Sequence, residues 1–136
     1  MLNQTKHKEI SHTWHLVDAK NEILGKVAAK IALALVGKNK TYFTRHLDCG
    51  DYVVVINAAN VKTTGKKTAN KIYTRYSGYP NGLRKETLGD KMTTNPAEVI
   101  QLAVKGMLPN NKLRDVWLTR LFIFKDNTHP YMDKLK

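Results

Sequence analysis

The chain has 136 residues, with 23 lysines and arginines against 11 aspartates and glutamates, a formal net charge of +12. That length suits one domain with its own core, and that charge selects a polyanion, or an acidic membrane surface, as partner. With Cys49 as the only cysteine, an internal disulfide is excluded, and with no long apolar segment or signal-peptide h-region the chain is expected in the cytoplasm.

Residues 1–12 are polar and carry Lys6, His7, Lys8 and Glu9, and are expected to form a loose basic arm. Thr13 to Asp18 reads as a first strand. Leu24, Val27, Ala28, Ile31 and Leu35 recur at helical spacing, which predicts an amphipathic helix over 25–36 with Gly37 just past its end. A helix that opens on Gly25-Lys26 offers N–H groups and a cation to an anion, though a small residue there also serves close packing. Lys38 to Asp48 is an irregular basic connection.

Gly50-Asp51-Tyr52-Val53-Val54-Val55-Ile56-Asn57-Ala58 is the stretch on which the rest depends. An apolar run with no polar alternation is a strand buried on both faces, and β-branched residues favour it over helix. Val61 to Gly65 reads as a short extended piece that ends in a turn. Lys71 to Tyr76 is expected as an edge strand, and residues 77–82 as a loop.

Asn95-Pro96-Ala97-Glu98 has the form of a helix start, with an asparagine cap, proline at the first position and glutamate in capping-box position. Val99, Ile100, Ala103, Val104 and Met107 form the expected buried face, and Pro109 stops the helix. A further helix is expected after Asn110-Asn111, with Leu113, Val116 and Trp117 on one face. Residues 121–124 read as a last strand, and 126–136 as a polar tail. The expected fold class is α/β, with 1–136 as a single domain.

The strongest chemical signal lies in residues 62–85. Lys62, Lys66, Lys67, Lys71, Arg75, Arg84 and Lys85 fall there with no acid among them, interleaved with Tyr73, Tyr76 and Tyr79. Cations neutralise phosphates, and tyrosine rings stack on unpaired bases. Gly65-Lys66-Lys67-Thr68 lacks the glycine a nucleotide-binding loop needs, which would stand at Asn60. An enzyme acting on nucleotides would draw on His46, Asp48 and Cys49, or on Asp48 with Asp51, but no spaced base or ligand accompanies them. Cys49 is expected simply to pack, the two aspartates to cap turns, and no metal or cofactor site is expected.

Val104-Lys105-Gly106-Met107-Leu108-Pro109, the Gly50–Ala58 stretch, Thr64-Gly65-x-Lys67, Lys71-x-Tyr73, Trp14 to Asp18 and Leu24-Gly25-Lys26 together resemble the bacterial large-subunit ribosomal protein L13 family. The resemblance runs from about Thr13 to His129. It departs at Arg45, where the family commonly has proline, at Tyr76, where histidine is common, and at Asn81, where glycine is usual.

The resemblance implies a three-layer α/β/α fold on a small, mainly parallel four-stranded sheet. It also implies binding to large-subunit ribosomal RNA early in assembly, beside neighbouring ribosomal proteins, without enzymatic activity, cofactor, membrane or small-molecule substrate. The residues expected to meet RNA are Lys26, Lys38, Lys40, Arg45, His46, Lys62, Lys66, Lys67, Lys71, Arg75, Tyr76, Tyr79, Arg84, Lys85, Lys105, Arg114, Arg120 and His129.

Overall fold

Three parallel strands form the frame: β1 (Trp14–Asp18), β2 (Tyr52–Ile56) and β5 (Leu121–Ile123), in the order β1-β2-β5. The computed structural model describes residues 6–135, so residues 1–5 of the expected N-terminal arm lie outside the described residues. The valine run is the middle strand, as its unbroken apolarity requires. Val53, Val54 and Val55 are 0% exposed. Leu16 pairs with Val54 and Val17 with Val55 on one side, Phe122 and Ile123 on the other.

Side chains alternate across a strand, so this register sorts the two faces. Val17, Val53, Val55, Leu121 and Ile123 look into one core. Helix α1 (Leu24–Val36) and helix α4 (Pro96–Met107) complete that core with Val27, Ile31, Leu35, Val99, Ile100 and Val104. Helix α5 (Leu113–Thr119) adds Trp117. The opposite face carries an aromatic stack rather than the second helical layer expected. Trp14 lies 4.4 Å from Tyr52 and 5.2 Å from Tyr131, and Tyr131 lies 4.6 Å from Phe122. The tail thus covers the sheet through Tyr131, its polar composition notwithstanding.

The fourth expected strand is not in this sheet. β3 (Ile72–Tyr76) pairs antiparallel with β4 (Leu83–Thr87) in a separate hairpin. The preceding segment meets the α1 entry through an isolated parallel bridge, Ile23 to Lys62. A short helix, α2 (Lys67–Asn70), then turns the chain away from the sheet. Helix α3 (Leu88–Thr94) returns it to the core through Leu88, its start capped by the Thr87 hydroxyl accepting from the Asp90 N–H at 3.2 Å.

Three further expectations change. Asn95 stands before α4 and Pro96 opens it, but the Asn95 side chain makes no cap bond. Glu98 does not close a capping box; it reaches Lys91 at 3.3 Å and Arg75 at 3.7 Å. Met107 and Val116 are 48% and 45% exposed, because each lies at the margin of its helix's buried stripe. Leu118, beside Trp117, packs against the core in place of Val116.

Two glycines make the junction of α1 and β2 possible. Gly37 ends α1 at φ 81, a left-handed cap. A Cβ on Gly50 would stand 1.6 Å from the Leu35 carbonyl oxygen. The loop between these glycines therefore lies directly against the end of α1, and Cys49, at the end of that loop, is buried.

Candidate nucleic-acid interface

The hairpin β3–β4 projects the basic segment into solvent. Tyr76 is 66% exposed and Tyr79 74%, and the strands show almost no buried positions. Tyr79-Pro80-Asn81-Gly82 closes the hairpin end, with the Gly82 N–H donating to the Tyr79 carbonyl at 2.9 Å. Asn81 takes φ 60 there. Asparagine tolerates that region, so the departure from glycine is accommodated.

Within the hairpin Arg75 stands directly opposite Arg84. Like charges at paired positions oppose folding. Glu98 offsets only one of them, at 3.7 Å from Arg75 and at the surface. Among the described residues Lys62, Lys66, Lys67, Arg84 and Lys85 have no ion-pair partner, and Lys71 has only the Tyr73 ring, 5.3 Å away. Unneutralised cations this close together repel one another, and a polyanion relieves that repulsion.

Other expected site residues divide by position. Lys67 and Lys71 border a groove of about 370 Å3 between the start of α1 and the end of α4, where Gly25 and Gly106 also lie. Lys26 and Lys105 are exposed beside those glycines. Lys38 and Arg45 flank a second hollow of about 390 Å3 with Pro109 and Trp117. His46 is exposed on the same loop as Arg45, and Arg114 is half-buried with its Nε hidden and unpartnered. His129 is half-buried beside Phe124, and its Nδ1 accepts from the Tyr131 N–H at 3.2 Å.

Two expected contacts are turned inward. Arg120 is buried, ion-paired to Asp48, and donates to the Gly50 carbonyl at 2.8 Å. Lys40 holds Asp51 at 2.6 Å with both side chains largely buried. Both cations neutralise acids that the sequence placed beside β2, so they are structural and not available to phosphate. Asp48 does cap its turn as expected, accepting from the Gly50 N–H at 3.4 Å, and the ion pairs add a second role to both acids. Asp48 also accepts from the Trp117 indole at 3.1 Å. Asp51 also accepts from the Thr13 N–H at 3.0 Å and His15 at 2.7 Å, pinning the start of β1. Burial alone would raise the Asp51 carboxyl, but Lys40, Thr13 and His15 together hold it below the usual range. Burial likewise works against the Lys40 charge, and the Asp51 carboxylate and Tyr42 outweigh it, raising its pKa.

Sequence reasoning did not find Thr63, Thr64 or Leu102 as groove walls. The available signals were Gly25 at the start of α1 and Gly106 in the last turn of α4, where a glycine weakens helix by about 1 kcal/mol relative to alanine. Among the described residues no three histidine, cysteine or acidic side chains gather to hold a metal, and no helix is long and apolar enough to cross a membrane.

The family model for Ribosomal protein L13 matches residues 12–130. The chain is 49% identical over 126 residues to the large ribosomal subunit protein uL13 of Dehalococcoides mccartyi, covering 93% of this chain and 88% of that one. It is 48% identical over 126 residues to the uL13 of Thermosipho africanus, covering 93% and 85%. It is 45% identical over 128 residues to that of Syntrophus aciditrophicus, covering 94% and 90%. A match across nearly the whole chain, at this identity, leaves one assignment: the chain belongs to the ribosomal protein L13 family, a structural family without enzymatic activity.

Proposed function

We propose that this protein is a structural constituent of the large ribosomal subunit in the cytoplasm, and that it binds large-subunit ribosomal RNA as one domain. The observation that carries the reading is the outward-facing, acid-free segment 62–85, whose cations are left without acidic partners save for Arg75. The RNA-facing set is Lys62, Lys66, Lys67, Lys71, Arg75, Tyr76, Tyr79, Arg84 and Lys85. Lys26, Lys38, Arg45, His46, Lys105, Arg114 and His129 extend it across the helix ends, the 38–46 loop and the tail. Phosphate contacts set position, and exposed tyrosines take unpaired bases. Because this surface addresses RNA directly, the protein joins early in assembly, and neighbouring ribosomal proteins meet it afterwards.

The test is direct binding. The purified protein should bind a large-subunit ribosomal RNA fragment and should co-sediment with the large subunit in high salt. Failure to bind any such fragment at low salt, where electrostatic contacts are strongest, would contradict the reading.

A further inference from the structure

The glycines of this fold are not alike, and two of them have no internal explanation. Gly37 and Gly50 are required, because a side chain there would strike backbone. Gly25 and Gly106 are different. A Cβ on either would meet nothing within 4 Å. Neither has a positive φ, so neither serves as a left-handed turn or cap. Both lie in helices, α1 and α4, where glycine is the poorer choice.

Both also border the same groove, of about 370 Å3. Its lining is largely apolar, with the buried Leu24 and Leu88 beside the exposed Leu102 and Met107, and contains no acid. Lys67 and Lys71 stand on it, neither with an acidic partner among the described residues. Bare helix backbone, an apolar lining and lysines match the parts of a nucleotide: a flat face to press on the glycines and a phosphate for the cations.

We infer that this groove takes a single unpaired nucleotide of the bound RNA. Its base and sugar lie over Gly25, Gly106 and Leu102, and its phosphate lies at Lys67 and Lys71. The inference rests on the RNA-binding reading and adds to it a subsite that is not electrostatic alone. A second protein's helix would also fit bare glycines, but the acid-free, lysine-bearing lining favours the phosphate-bearing occupant.

The test is Gly106→Leu, with Gln101→Leu, an exposed α4 position outside the groove lining, as control. Leucine is the better helix former, so Gly106→Leu should melt at or above the wild-type temperature. It should bind a large-subunit ribosomal RNA fragment at least about tenfold more weakly. The slope of log affinity against log salt should flatten by no more than roughly 0.7–0.9, the share of the one phosphate that leaves Lys67 and Lys71. Chemical probing should show one unpaired nucleotide protected by the wild type and by Gln101→Leu, and exposed with Gly106→Leu.

If Gly106→Leu binds and protects as the wild type does, the groove is not a nucleotide subsite, although the RNA-binding reading stands. If instead crosslinks from the groove in assembled subunits reach a protein and no RNA, the occupant is a protein and the inference fails. If the wild type binds no fragment, the RNA-binding reading itself fails, and this inference with it.

Discussion

Asp51 shows how much a single residue carries here. It accepts from Lys40, His15 and the Thr13 backbone at the point where β1 and β2 begin. Its pKa is held below the model-peptide value of 3.8, so its contribution is fully present above that value. It is lost as pH falls through the lower, folded value. Lys40 behaves oppositely: its pKa is raised above 10.5, so its contribution is present below that value and lost in stronger alkali. Asp51→Asn should destabilise the protein by about 3 kcal/mol near neutrality, because it strands a largely buried ammonium. It should also flatten the acid limb of stability against pH below about 4. Denaturant melts of both proteins from pH 2 to 7 measure this, and parallel acid limbs would show that Asp51 is not the titrating tie. Val55→Asp is the harsher case: an unpaired carboxylate at a fully buried site should abolish cooperative folding. A soluble variant with a sharp melt would contradict the central place of β2. The burial of Val55 was readable because four apolar residues follow one another without a polar break. The inward turn of Lys40 and Arg120 was not, since nothing local tells a lysine near an acid from a lysine near a phosphate.

At the scale of elements, the hairpin is the part least supported by its own protein. Arg75 faces Arg84 across the ladder, and both strands expose most of their side chains. Arg84→Gln should therefore keep or slightly raise stability, by up to about 0.5 kcal/mol, while weakening RNA binding. Thermal melts and binding of the same preparation separate the two effects; a clear loss of stability would mean the pair is not repulsive in the folded state. The parallel sheet and the two long helices were legible because burial imposes period and run length on a sequence. β4 left no such trace: Leu83-Arg84-Lys85-Glu86-Thr87 is exposed over most of its length, so no face selects apolar residues. The same absence of burial explains why β3 reads as an edge strand and yet does not join the sheet. α3 did leave a signal, Thr87 three residues before Asp90, of the kind that marks helix starts.

Over the whole molecule the positive charge is not spread evenly. Of the cations near β2, Lys40 and Arg120 are spent on Asp51 and Asp48 inside the protein. The excess lies on the hairpin, α2 and the groove between α1 and α4. Family membership and the charge sign were both visible in the sequence. The division into internal and outward cations required the fold. Whether this outward surface is what binds ribosomal RNA is best tested by a salt titration of Lys66→Ala, Lys67→Ala and Lys71→Ala combined. Each phosphate contact contributes roughly 0.7–0.9 to the slope of log affinity against log salt, so the triple variant should flatten that slope by about 1.4–1.8 units if Lys67 and Lys71 share one phosphate, and by about two to three if each of the three lysines touches its own. Its melting temperature should hold, because all three lysines are exposed and make no ion pair. A triple variant that keeps both wild-type affinity and wild-type salt slope would contradict the account and move the interface away from residues 62–85.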